Sequence, residues 1–217
     1  MMITENEIKI ERTATYFLLG KINKEIKEIW FVFHGYGQLA KDFIKNFEVL
    51  QSNKRLIVAP EALNKFYIKS FFGKIGSTWM TKHNRENEIK DYVLFIDKLY
   101  EKIISELNDN VKIIFFGFSQ GVHTAARFLD FKKPKIDEFI LWSSSFPHNC
   151  NYKENQKYWQ SISKKIFVGT KDKLISNTKY EEEKEFIRLQ MLSVDFIKFD
   201  GGHEITELEL SKFLKTK

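Results

Sequence analysis

Three residue types suited to acyl transfer stand beside glycines in this 217-residue chain. Ser119 lies in Gly117-Phe118-Ser119-Gln120-Gly121, directly after the apolar run VKIIFF and before VHTAARFL. A serine hydroxyl is a weak nucleophile alone and becomes a useful one when a base takes its proton. His203, in Asp200-Gly201-Gly202-His203-Glu204, offers that base, because imidazole titrates near neutrality. Asp172, in Val168-Gly169-Thr170-Lys171-Asp172, offers a carboxylate to fix the imidazole tautomer and steady the imidazolium. A fourth stretch, His34-Gly35-Tyr36-Gly37-Gln38, carries glycines that let backbone approach a substrate closely. The Tyr36 and Gln120 N–H groups are then the candidate donors to a developing oxyanion.

The five-residue pattern around Ser119 is weak by itself, since G-x-S-x-G arises by chance in roughly one in fifteen chains of this length. The elements around it decide. Residues 28–33 (EIWFVF), 55–60 (RLIVAP), 111–116, 139–142, 165–169 and 194–199 are short apolar runs, as expected of strands covered on both faces. Between them, helical spacing is predicted over 38–52, 86–107, from the GFSQG turn to about 129, over 177–191 and over 207–215. Strands alternating with helices imply an α/β domain with a mostly parallel sheet and helices on both faces. An N-terminal strand pair is predicted over 7–19, and 61–85 reads as a long aromatic loop serving as lid or pocket wall. No repeat or linker divides 1–217, so one domain is expected.

In such a sheet, ligands bind at the carboxyl ends of strands. Ser119, Asp172, His203 and the HGYGQ stretch each fall just past one. A strand turning sharply into a helix at Ser119 requires small residues two before and two after, where Gly117 and Gly121 stand. Other readings are weaker. His34 suits a buttress for its own loop, His123 suits packing, and His83 and His148 are loop residues. Asp195 lies within a strand, and Asp200 is too near His203 in sequence to face it easily. Phe72, Trp79 and Phe146 are candidates for a substrate pocket, with ordinary core and lid packing the alternative. Glu181-Glu182-Glu183 reads as a solvated helix start. The single cysteine, Cys150, excludes an internal disulfide and reads as a loop residue.

Composition narrows the classes further. A net charge of +6 comes from 35 basic and 29 acidic residues scattered along the chain, not from a basic face, so nucleic-acid binding is not expected. No apolar run nears the roughly 18 residues of a membrane span, and MMITENEIKIER lacks the build of a secretory signal. The expectation is a cytoplasmic protein without a transmembrane segment. No His, Cys, Asp and Glu set has metal-ligand spacing, and neither metal nor cofactor is called for.

With these residues in place, the chain resembles the α/β-hydrolase superfamily, and within it the phospholipase/carboxylesterase group that includes acyl-protein thioesterases. That group carries an HG-x-G segment, GFSQG, a G-x-x-D segment and a terminal GGH, all present in that order over roughly residues 28–215. The resemblance implies Ser119, Asp172 and His203 as a triad, Tyr36 and Gln120 as oxyanion donors, and a small ester or thioester as substrate. Lysophospholipase or peptidase activity on the same fold, or a noncatalytic binding protein, are the alternatives. The chain departs from the group at Gln38, where an Asp is common, at Ser77-Thr78-Trp79-Met80, where Trp-Phe-Asp is common, and in lacking a Pro after Asp172. These departures bear on substrate preference. Neither acyl chain length nor oligomeric state can be read from the sequence.

Overall fold

A computed structural model describes residues 2–214. Nine strands and six α-helices follow in chain order among them: β1 (Tyr16–Leu19), β2 (Glu28–Phe33), α1 (Ala40–Phe43), β3 (Arg55–Pro60), β4 (Asn64–Tyr67), β5 (Ile75–Thr78), α2 (Arg85–Ser105), β6 (Lys112–Phe118), α3 (Gln120–Lys132), β7 (Glu138–Trp142), α4 (Gln156–Ser161), β8 (Ser163–Gly169), α5 (Asn177–Leu189), β9 (Asp195–Phe199) and α6 (Glu207–Ser211). Seven strands form one sheet in the order β1-β3-β2-β6-β7-β8-β9. All its neighbours pair in parallel except β1, which runs antiparallel to β3 at the edge.

Alternation along each strand divides two cores. Ile29, Phe31 and Phe33 of β2, with Ile113 and Phe115 of β6, face the layer built from α2, α3, α4 and α5. Trp30, Val32, Ile114, Phe116 and Phe118 face the layer built from α1, the turn that follows it, and α6. Because both faces are covered, strands read as unbroken apolar runs rather than alternating ones. Aromatic rings fill much of this space; Trp142 and Phe167 stack at 4.7 Å with planes 4° apart. At the amino ends of β6, β7 and β8, buried Glu138 is held between Lys112 (2.9 Å) and Lys165 (2.7 Å).

Several local expectations are corrected. Only Tyr16–Leu19 of the 7–19 stretch is a strand, and Ile8 and Ile10 are exposed, because β3 is the sole partner on that edge. After α1, residues Ile44–Leu50 wind as a 3₁₀ helix. Its buried residues Ile44, Phe47 and Leu50 fall three apart, matching three residues per turn. The short helix α4, which carries buried Trp159, has no counterpart among the predicted elements. Residues 61–85 are not simply a loop: β4 and β5 pair as an antiparallel hairpin, Phe66 opposite Gly76. Glu183 is buried rather than solvated. Residue 215, the predicted end of the last helix, lies outside the described residues.

Candidate active site

The turn from β6 into α3 sets Ser119 at φ 52° and ψ −118°, a conformation that a non-glycine residue adopts only when its surroundings force it. Its N–H donates to Trp142 O at 2.9 Å, pinning the turn to the end of β7. A Cβ at Gly117 would lie 2.5 Å from Val122 Cα, and one at Gly121 would collide with the carbonyl of Phe33 at the end of β2. The turn therefore closes only with glycine at both places.

His203 follows β9 and Asp172 follows β8. Asp172 Oδ2 lies 2.8 Å from His203 Nδ1, and its Oδ1 accepts the Leu174 N–H at 2.8 Å. The carboxylate is fully buried while the imidazole is 24% exposed. A carboxylate can only accept here, so Nδ1 carries the proton and Nε2 is left as the basic nitrogen. The ring also packs against Phe118, centroids 5.1 Å apart, which brings it beside the residue preceding Ser119. Ser119 Oγ itself makes no hydrogen bond to a described residue. Such bonds are often long before substrate arrives. The rival acids are engaged elsewhere: Asp200 pairs with Lys171 at the surface, and Asp195 is exposed on β9.

The loop after β2 is held from several sides. Gly35 N–H donates to Gln38 Oε1 at 2.7 Å. Gly37 N–H donates to Ser77 O at 2.9 Å, and Ser77 donates through N–H and Oγ to Gln38 O at 3.2 and 2.8 Å. His34, wholly buried, accepts the Ala62 N–H at Nε2 (3.1 Å), so its Nδ1–H donates to Gly35 O (2.8 Å). Burial holds this imidazole's pKa down to about 4, with the Gly35 carbonyl opposing, and it stays neutral near pH 7. The Tyr36 N–H and Gln120 N–H are donated to no other group among the described residues, whereas the Gln120 side chain is fixed by Thr78, Trp79 N–H and Met80 O. Residues 77–80 and Gln38, which the sequence marks only as departures bearing on substrate preference and, for Trp79, as a candidate pocket wall, thus brace the loop and turn of the candidate site: Gln38 through the nearby Gly35 N–H, and residues 77–80 through partners about forty positions away.

The candidate pocket aromatics sit in different surroundings. Phe72 is fully exposed at the hairpin tip, a correction to its reading as pocket lining. Trp79 is buried, donating Nε1–H to His34 O at 3.0 Å, and Phe146 packs in the core against Phe139, Tyr152 and Trp159. Cys150 is half-buried, and burial pushes its thiol up to about 12, far from a thiolate nucleophile. His123 on α3 is held at about 4, first by burial and then by Arg127.

Comparison with known proteins bears on the fold and the family. Among solved structures, the carboxylesterase from Mesorhizobium loti superposes with a TM-score of 0.70 at 17% identity, covering 94% of this chain and 95% of its own. Esterase PE8 gives 0.68 at 17% identity over 94% and 99%. Acyl-protein thioesterase 2 from Zea mays gives 0.67 at 14% identity over 94% and 98%. At these identities the likeness is one of fold, the α/β-hydrolase fold. No curated protein matches the chain by sequence. The sequence model of the Phospholipase/Carboxylesterase family matches residues 21–216, nearly the whole chain, and the protein belongs to that family.

Proposed function

We propose that the protein is a serine hydrolase of carboxylic esters or thioesters, working through an acyl-enzyme. The observation that carries this reading is the Asp172–His203 pair, its carboxylate buried and its imidazole packed on Phe118 next to the strained Ser119 turn. His203 Nε2 takes the Ser119 proton as Oγ attacks the substrate carbonyl carbon. The carbonyl π pair moves onto oxygen, and the resulting oxyanion is met by the Tyr36 and Gln120 N–H groups. Collapse breaks the bond to the alkoxide or thiolate, which leaves with the proton from His203. Water, deprotonated by the same nitrogen, then attacks the acyl-enzyme and returns Ser119 with release of the acid. Asp172 stays ionised throughout and steadies the imidazolium. Removing one oxyanion donor of this kind costs about 3–4 kcal/mol in other enzymes.

The bond class rests on the family and on neighbours that are themselves named as carboxylesterase and acyl-protein thioesterase. No helix among the described residues is long and apolar enough to cross a membrane. The test is a screen of p-nitrophenyl esters from C2 to C12 alongside an acyl-CoA. Hydrolysis of at least one series by the wild type, abolished in Ser119→Ala, is expected. Absence of turnover on all of them would overturn the reading.

A further inference from the structure

The two N–H groups assigned to the oxyanion belong to segments that overhang the sheet. Tyr36 lies three residues past the end of β2 and Gln120 two past the end of β6, beyond the last pair of that ladder, Phe33 and Gly117. The ladder therefore fixes neither donor directly. Yet two such donors help only while they converge on one point, each about 2.7–3.1 Å from the oxyanion.

One short stretch, residues 77–79 at the end of β5, reaches both segments. Ser77 grips the loop after β2: its carbonyl accepts the Gly37 N–H at 2.9 Å, while its N–H and hydroxyl donate to Gln38 O at 3.2 and 2.8 Å. Trp79 Nε1–H donates to His34 O at 3.0 Å. Gly76 comes so near that an added Cβ would lie 2.5 Å from Gly37 O. The Tyr36 ring, 63% exposed, leans on Phe66 of β4 with centroids 5.1 Å apart. The β4–β5 hairpin thus supports the loop that carries the first donor.

Thr78 holds the second. The Trp79 N–H can only donate, so the amide oxygen of Gln120, Oε1, is the atom that meets it at 3.2 Å. The amide nitrogen then faces Thr78 Oγ1 at 3.0 Å and Met80 O at 3.0 Å, and gives one hydrogen to each. Because Thr78 Oγ1 accepts from the amide, its single proton goes to Met80 O, also at 3.0 Å. Both amide hydrogens are used, and Thr78 is only 4% exposed, so water competes little.

We propose that Thr78 is a positioning residue of the oxyanion site, its hydroxyl locking the Gln120 side chain to the same strand end through which Ser77 holds the Tyr36 loop. Residues 77–79 then act as a spacer that sets the separation of the two donors. The inference rests on the serine-hydrolase reading and adds to it a residue that touches neither substrate nor triad. An oxyanion exists only at the tetrahedral stage, so a misplaced donor costs kcat and leaves substrate binding nearly unchanged.

The experiment uses Thr78→Val, which keeps the shape without the hydroxyl, and Thr78→Ser, which keeps the hydroxyl. With the best p-nitrophenyl ester, Thr78→Val is expected to lose about 10-fold in kcat with KM within about 3-fold, and Thr78→Ser to recover most of the loss. A trifluoromethyl ketone gives the second readout: Ser119 Oγ adds to its carbonyl carbon, the carbonyl pair becomes an oxyanion, and His203 takes the proton. Its affinity should fall in Thr78→Val by the same factor as kcat/KM. Should Thr78→Val fail to fold, Gln120→Met, which keeps the N–H but not the side-chain amide, is expected to show the same losses. Where both fold, the double variant should lose no more than the worse single one, since they break the same lock. An unchanged kcat, a change confined to KM, equal losses in Thr78→Ser, or ketone affinity that stays constant would overturn the role of Thr78 and leave the hydrolase reading standing. A wild type that neither takes a fluorophosphonate label nor turns over any ester would overturn both.

Discussion

Asp172 Oδ2 is held 2.8 Å from His203 Nδ1, and the other oxygen of the same carboxylate is tied to the Leu174 N–H at 2.8 Å. The carboxyl group is thus fixed in plane and angle before any substrate binds. An amide in its place would present an NH₂ group to Nδ1 and stabilise the wrong tautomer. Asp172→Asn is expected to lower kcat by about 10⁴-fold with the fold unchanged. Steady-state kinetics with circular dichroism as control checks this; a loss under 10-fold would contradict the role assigned to Asp172.

Gly121 and Gly202 make a matched pair of substitutions. A methyl at Gly121 would overlap the Phe33 carbonyl, and backbone cannot swing aside as a side chain can. Gly121→Ala is expected to destabilise the protein by roughly 2–4 kcal/mol, in the range of overpacked core sites. At Gly202 the nearest atom to an added Cβ is 3.8 Å away, and the cost should be under about 1 kcal/mol. Urea unfolding of the two variants, read from their midpoints, measures the difference. Equal midpoints would show that the turn does not need its glycine.

Gln38 holds the loop through a single strong contact, Oε1 to the Gly35 N–H at 2.7 Å. Gln38→Ala removes a bond worth about 1 kcal/mol in stability, but frees the loop that presents the Tyr36 N–H. The expected result is a fall of about 10-fold in kcat, with KM changing less than 3-fold and partial recovery in Gln38→Glu, which keeps an acceptor oxygen at the same reach. A change in KM alone would assign Gln38 to substrate binding instead.

The fold and much of the site were legible because they depend on local signals. Unbroken apolar runs located the strands, and glycines at fixed offsets located the turns. The stretch 38–52 reads as a single α-helix because Phe43, Phe47 and Leu50 fit a 3.6-residue period nearly as well as Ile44, Phe47 and Leu50 fit the period of three that the fold adopts. The hairpin of β4 and β5 is hidden in the sequence because Phe66 and Tyr67 owe their pairing to Gly76 and Ile75 across the seven residues 68–74, not to alternation within either strand. The contacts of Ser77 and Thr78 are not legible in the sequence, since each is defined by what lies opposite it in space.

Glu183 gives the fold a dependence on pH with a definite sign. Its carboxyl group, buried against the Phe146 N–H at 2.8 Å, is raised to about 7, chiefly by desolvation and against the pull of that N–H. Between its ordinary value near 4.5 and 7, the folded state holds a proton the unfolded chain releases, so this group's stabilising contribution is complete below 4.5 and is lost as pH rises through 7. Glu183→Gln keeps an acceptor without the charge. Relative to wild type, it should raise Tm at pH 8 by a few degrees, and the difference should shrink toward pH 4.5. A difference independent of pH would place the Glu183 carboxyl group outside the titrating core.

The most direct measurement is covalent labelling of the intact protein with a fluorophosphonate, followed by peptide mass spectrometry. A nucleophilic Ser119 should yield one phosphonylated site, on the peptide containing Gly117-Phe118-Ser119-Gln120-Gly121, with labelling slowed at least 100-fold in His203→Ala and absent in Ser119→Ala. A wild-type protein that remains unlabelled, or a label found on any residue other than Ser119, would contradict the assignment.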